Sequence, residues 1–425
     1  MKIELYDILR KEVNPALGCT GPTSVSFAAS VAKDTIGGEL LDVKVIMDRD
    51  TYKNSISVGI PGTKEKGLDV AAALGAVGGK SALGLEVLRD VGISEEEKAL
   101  DMIKDGKVII EVDWSRIGMG LYIEAFIKTT NGEGHAIVVG THTNVVFIEK
   151  NGEVLLNKPF DNNKNAIYQP NHEIGNYRVP DFIEFIREIP IEKLDFIRES
   201  VDMNLKLAES GIKNGSGSGF GKAWLEVNKG NLLNKIKAYT AAASDARMAG
   251  ENLPAMSCAS SGNVGITASV SLAMFAEENN LSKENMLRAV ALSFLITIYV
   301  KNHIGRLSPM CACAIAASLG VAAGTAFLLE ETNEKIDSTI TNVIGSLGGI
   351  LCDGAKNGCA LKLSMAIGVA IESAYLSKYS ASIAQGEGLV QKNADESIRI
   401  LGKIAREGMR EADIVLCKEI IDVSK

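Results

Sequence analysis

A single change of periodicity limits what this chain can fold into. Across residues 40–154 apolar and polar positions alternate, the pattern of half-buried strands. From about residue 180 the alternation stops, and most of 231–425 repeats apolar positions at the helical period, with Ala, Gly, Ser and Leu dominant. Small side chains let helix axes approach closely, so this part reads as a compact bundle. The fold class that follows is α+β: an N-terminal α/β domain at 1–178 on a mainly antiparallel sheet, then an all-α domain at 179–425. A chain of 425 residues suits two or three domains at roughly 100–200 residues each, and needs no disulfide or metal merely to fold.

Within the first part, strands are expected at 43–47, 55–60, 107–112, 120–128, 135–139 and 144–149, with turns at Asn131-Gly132 and Asn151-Gly152. A helical stretch at 67–91 lies between the second and third. The first 35 residues read as helix interrupted by a loop at Asn14-Pro15 and 18–22. Residues 155–180, including the polar run 161–165 and His172, read as a linker, and 181–210 as two amphipathic helices. The run Gly215-Ser216-Gly217-Ser218-Gly219-Phe220-Gly221 lacks the Gly-Lys-Ser/Thr ending of a P-loop and any preceding strand. It reads as an inter-helix connection or as a backbone-lined wall of a site.

Charge and hydropathy narrow the function classes. With 45 basic and 53 acidic residues the net charge is −8, so no global field attracts a phosphate backbone and no nucleic-acid partner is expected. Residues 252–276 and 307–329 are uncharged over 25 and 23 residues, long enough to span a bilayer. Both carry Ser, Cys and Gly, neither has aromatic anchors, and Glu330-Glu331 follows the second. They read as buried helices, with no membrane partner. The N-terminus shows no apolar export segment, so a cytoplasmic location is expected.

In a reducing compartment the seven cysteines, Cys19, Cys258, Cys311, Cys313, Cys352, Cys359 and Cys417, are not a disulfide framework, and metal or catalytic roles gain weight. Four of them fall in the 49 residues from Cys311 to Cys359. Cys352-Asp353-Gly354-Ala355-Lys356-Asn357-Gly358-Cys359 sets two thiols around turn-forming Asp-Gly and Asn-Gly pairs. Cys311-Ala312-Cys313 follows Ser308-Pro309 and is expected to open a helix, whose free N–H groups favour thiolates. Three thiolates brought together suit zinc or an iron–sulfur cluster and leave one metal position open. The plain alternative is small buried hydrophobes in an Ala-rich core.

Other residues suggest a substrate site. Cys19, between Gly18 and Thr20, is a candidate reactive thiol or a packed loop cysteine. Ser260, Ser261, Gly262 and Asn263 precede an apolar helix whose free N–H groups suit a carboxylate, with Asn263 the expected N-cap. Cys258 beside them reads as structural. Arg306, near His303, is suited to bidentate carboxylate binding. Four histidines and no Gly-x-Ser-x-Gly elbow argue against a Ser-His-Asp hydrolase, and no pyridoxal-phosphate site is evident.

The runs Leu17-Gly18-Cys19-Thr20-Gly21-Pro22, Ser244-Asp245-Ala246-Arg247-Met248, Gly305-Arg306-Leu307-Ser308, Cys311-x-Cys313 and Cys352-Asp353-Gly354-Ala355-Lys356-x-x-Cys359-Ala360-Leu361-Lys362 resemble the L-cysteine desulfidase family. More distantly they resemble the α chain of iron–sulfur L-serine dehydratases. The resemblance spans nearly the whole chain. It implies a 4Fe–4S cluster on three cysteines with one open iron, no pyridoxal phosphate, and conversion of L-cysteine to pyruvate, ammonia and hydrogen sulfide. The implied ligands are Cys352, Cys359 and one of Cys311 and Cys313. Cys311 is preferred, because Ala322-Ala323-Gly324 follows it at nearly the spacing of the dehydratase ligand. Where the dehydratases have Ser-Ser-Ser-His-Thr, this chain has Leu17-Gly18-Cys19-Thr20, which favours the desulfidase branch. Cys19 is then the expected base, with Lys356 second. The expected partner is a small amino acid, and a homo-oligomer is compatible with the reading. A serine dehydratase, or a non-catalytic metal-binding or redox protein, is the competing reading.

Overall fold

The computed structural model describes residues 3–61, 63–116, 120–160, 173–227 and 229–423. Its strands are β1 (Val13–Leu17), β2 (Leu40–Asp48), β3 (Val108–Asp113), β4 (Tyr122–Thr129), β5 (Gly132–Val139), β6 (Val145–Lys150), β7 (Glu153–Asn157) and β8 (Pro254–Cys258). Six form one sheet in the order β3-β2-β4-β5-β6-β7. Every pair is antiparallel except β2–β3. The alternation explains which face is covered: Val43, Val45 and Met47 of β2 and Ile123, Ala125 and Ile127 of β4 are buried in one core with helices Thr20–Ile36 and Leu68–Gly78. Those helices cross at small residues. The Ser26 hydroxyl donates to the Ala71 carbonyl at 2.7 Å, and a Cβ at Gly75 would lie 2.2 Å from the Ser26 carbonyl oxygen.

The C-terminal half is helical, as its periodicity predicts. The two uncharged stretches hold helices Gly262–Glu278 and Ala316–Leu328, both almost wholly buried. Two further helices, Lys283–Ile304 and Gly358–Lys378, are long and apolar enough to cross a membrane, and most of each is buried inside the protein. Leu5, Ile8, Leu9 and Val13, from helix Ile3–Glu12 and β1, join the helical core. The chain therefore crosses the division drawn at 178/179.

Four local expectations are corrected. Residues 55–60 are turns, not a strand: Asp48 accepts from the Thr51 N–H at 2.8 Å and starts helix Arg49–Lys53, after which the Gly59 N–H donates to the Met248 carbonyl at 3.0 Å. Asn14-Pro15 is not loop, nor its flanks helix: Val13–Leu17 form β1, paired antiparallel with β8, Pro15 opposite Met256. Part of the expected linker is strand β7, while 161–172, with His172, lies outside the described residues. Cys311 and Cys313 do not open a helix; they sit in the turn before Ala316–Leu328.

The last helix, Arg410–Val423, returns to helix Arg49–Lys53. Asp413 takes Arg49 Nη2 at 2.7 Å and Lys53 Nζ at 2.6 Å, and Arg49 also pairs with Asp50 at 2.7 Å. All four side chains are buried.

Candidate active site

Three backbone segments bring four of the seven cysteines together. An isolated bridge pairs Met310 with Leu351. The Cys311 N–H donates to Ile350 at 2.8 Å and the Cys352 N–H to Pro309 at 2.7 Å. The chain then turns through Gly354 (φ 86°), where a Cβ would lie 2.1 Å from the Lys53 carbonyl oxygen, and enters helix Gly358–Lys378 with Cys359 in its first turn. The helix terminus expected at Cys311 therefore serves Cys359 instead.

The sulfurs of Cys311 and Cys313 are 3.5 Å apart. Cys311 also contacts Cys352, and Cys313 contacts Cys359. Hydrogen bonds from Cys313 and Cys352 push the Cys311 thiol well below its usual range, and the bond from Cys313 pushes Cys359 down as well. Cys313 and Cys352, the corresponding donors, are pushed up. Among the described residues no group of three or more His, Cys, Asp or Glu side chains stands ready-made for a metal ion. The donor set nevertheless fits an iron–sulfur cluster by its chemistry: four buried or half-buried soft sulfurs are linked by contact, and in the turn between Cys352 and Cys359 the Asn357 Oδ1 is buried without a partner. Cations border the sulfurs. Burial opposes the Lys53 ammonium, but the Cys352 sulfur and Asp413 reverse this and hold it above the lysine range. Asp353 pairs with both Lys356 and Lys362, so Lys356 is already engaged.

Cys19 packs in a small apolar group with Val58, Met248 and Ala355, and Ala355 lies between the two cysteines of the 352–359 turn. The Cys19 loop is thus beside the thiol cluster. On its other side Arg247, buried, donates from Nη2 to the Gly18 carbonyl at 2.8 Å and from Nη1 to Asn263 Oδ1 at 3.2 Å.

The turn at 259–261, expected to receive a carboxylate, is built on strained backbone. Ala259 (φ 48°) and Ser260 (φ 66°) are left-handed without being glycine, a conformation that costs of order 1–3 kcal/mol per residue and clusters at functional sites. Ser261, not Asn263, is the N-cap of helix Gly262–Glu278, and its side chain makes no capping bond. The first-turn N–H groups stay available. Arg306 Nη1 donates to Ser260 Oγ at 2.7 Å and Nη2 to Glu12 at 2.6 Å. Lys301 Nζ donates to the Ala259 carbonyl at 2.6 Å; burial, then the Arg306 charge, pushes it down to about 8. Lys301 also feels Cys313, which links turn and thiols. The loop after β5 brings His142 towards the same cations, and burial with Arg306 and Lys301 pushes it down to about 4.

The expected site residues therefore lie around one region: Cys311, Cys352 and Cys359, with Cys313 added, then Cys19, then Ser260, Ser261, Gly262, Asn263 and Arg306. His303 does not join them. It stacks edge-on against Tyr299 at 4.8 Å, and a Cβ at Gly402 would lie 2.8 Å from its own Cβ. Cys258 is fully buried and its thiol is pushed up by burial, in keeping with a structural role. Sequence reasoning missed Arg247, Lys301 and Lys53. Arg247 stands inside a motif already noted, but the partners of Arg247 and Lys301 are backbone carbonyls and an amide, which leave no pattern in sequence. The glycine-rich run 215–221 is an inter-helix connection, held by Asp245, which accepts from the Ser218 and Gly221 N–H groups at 3.2 and 3.0 Å.

Comparison with known proteins gives the family. The family model for the serine dehydratase alpha chain matches residues 82–418. A UPF0597 protein of Clostridium tetani is 37% identical over 418 residues, covering 98% of each chain. One of Caldanaerobacter subterraneus is 40% identical over 414 residues, covering 97% of this chain and 96% of its own. One of Clostridioides difficile is 37% identical over 426 residues, covering 99% of each. With its match spanning most of the sequence and its relatives aligned nearly end to end, the chain belongs to the serine dehydratase alpha chain family.

Proposed function

We propose that this protein is a lyase that eliminates sulfide from L-cysteine, an iron–sulfur L-cysteine desulfidase working without pyridoxal phosphate in the cytoplasm, where its thiols stay free. The observation that carries the reading is the position of the Cys19 loop: Cys19 shares an apolar cluster on which Ala355 of the thiol-bearing turn packs, and Arg247 ties Gly18 to Asn263. A base placed between those two features is what an elimination requires. A serine dehydratase shares the elimination; a thiol at Cys19 in place of the dehydratase motif favours cysteine.

Cys311, Cys352 and Cys359 would hold a 4Fe–4S cluster, which supplies, when bound, an open iron acting as a Lewis acid on the leaving group. The chain's own residues do the rest. The free N–H groups of Gly262 and Asn263 receive the substrate carboxylate, with Ser260 and Ser261 lining the turn and Arg306 and Lys301 supplying positive charge. Cys19 as thiolate takes the α-proton onto its sulfur while the Cβ–S bond breaks. The aminoacrylate left behind tautomerises to the imine and adds water, giving pyruvate and ammonia. Lys356, ion-paired with Asp353, steadies the turn rather than removing the proton.

The test uses anaerobically purified, iron-reconstituted protein offered L-cysteine and L-serine in parallel. Equal sulfide and pyruvate from cysteine, abolished in Cys19→Ala at unchanged iron content, is the expected result. Pyruvate from serine alone moves the protein to the dehydratases. Colourless protein holding zinc and turning over neither amino acid makes the cysteines structural.

A further inference from the structure

Arg247 is a buried arginine that meets no carboxylate among the described residues. It lies one residue from the end of helix Leu232–Met248 and is 3% exposed. Its two bonds go to a carbonyl and a side-chain amide, Gly18 and Asn263, and its Nε is buried without a partner. A guanidinium in such a place is not held by charge pairing; it is held by shape. Position 262 shows this most directly, because a Cβ on Gly262 would stand 2.3 Å from Arg247 Nε. The fork fits only because position 262 has no side chain. The next residue, Met248, belongs to the same small apolar cluster as Cys19 and Val58.

We infer that Arg247 is the positioning residue that fixes the Cys19 thiol relative to the carboxylate turn. The inference rests on the assignment of Cys19 as the base. One planar fork joins the residue before the thiol to the second residue of the substrate helix, so the proton acceptor and the α-carbon keep a set separation. Lysine, a point charge without a fork, cannot hold both oxygens in this geometry. A reacting group displaced by about 1 Å loses roughly a hundredfold in rate.

Two variants test this. Arg247→Lys removes the fork and keeps the charge. Gly262→Ala leaves Arg247 in place but drives the guanidinium off its seat. The first readout needs no activity: the rate at which iodoacetamide alkylates Cys19 in the cluster-free protein, followed by peptide mass spectrometry. Both variants should label Cys19 about tenfold faster than wild type, since a buried thiol is released. In the iron-loaded Arg247→Lys protein kcat should fall about a hundredfold with KM within about threefold, at wild-type iron content. Unchanged Cys19 labelling in both variants overturns the inference. So does a rise in KM with kcat intact, which would make Arg247 a substrate anchor. If wild-type protein turns over neither amino acid, the proposed function fails, while the labelling rates still decide whether Arg247 sets the Cys19 loop.

Discussion

Lys53 and Lys301 are both buried lysines, and their surroundings push them in opposite directions. Lys53 sits in a closed set of charges with Arg49, Asp50 and Asp413, and beside the Cys352 sulfur its ammonium is held above the lysine range. Lys301 donates to the Ala259 carbonyl, shares its surroundings with the cationic Arg306, and is pushed down to about 8. The nearby carboxylate, Glu12, is already taken by Arg306. A buried cation that meets a carboxylate serves the architecture. A buried cation that meets a carbonyl leaves positive charge for a ligand to answer. The first arrangement ties the two ends of the chain together; the second lies at the turn where an anionic substrate would bind.

The comparison can be broken from either side. Asp413→Ala should have the largest effect, because it strips Arg49 and Lys53 of a carboxylate in a buried site: about 3–5 kcal/mol lost in urea unfolding, with the KM for L-cysteine unmoved in the folded fraction. Next is His303, a half-buried imidazole away from both groups and pushed down to about 4, chiefly by burial. Below its ordinary pKa of about 6.5 the unfolded chain takes up a proton that the folded imidazole refuses until near pH 4. Stability is therefore present above that interval and lost as pH falls through it. His303→Gln should remove about 2–3 kcal/mol of that acid-side loss, measured as unfolding free energy against pH. The smallest stability change belongs to Lys301→Met. Removing a charge that burial already disfavours should raise stability by about 1 kcal/mol at pH 7, while the KM for L-cysteine rises about tenfold. A loss of stability with unchanged KM would place Lys301 with the architectural cations.

The sheet was legible because its strands alternate cleanly: Val43, Val45 and Met47 point to one face, as written in the sequence. The same rule misread 55–60, where Val58 and Ile60 alternate with polar residues but are buried by a turn that docks on Met248. Strands β1 and β8 went unseen because Pro15 and Pro254 reject strand readings, yet a two-stranded ribbon has edges that accept proline. At the site, the cysteines stood out by their crowding in one window. The ties between segments did not, since Arg247 acts on a carbonyl and a bare glycine position, features that carry no composition or period. His303 was grouped with Arg306 by proximity in sequence, but Gly305 (φ 101°) ends the helix between them and turns the two side chains to different neighbours.

The pairing of Lys53 with Asp413 spans 360 positions, and this sets an order of assembly. A contact so remote repays the entropy of closing its loop only after most of the intervening chain is folded, so it forms late. Until then the lysine beside Cys352 has no Asp413, and the turn carrying Gly354 has not gained its finished neighbour. During synthesis the thiols emerge before that environment exists. A nascent or C-terminally clipped chain lacking Asp413 would present the same cysteines in an unfinished setting.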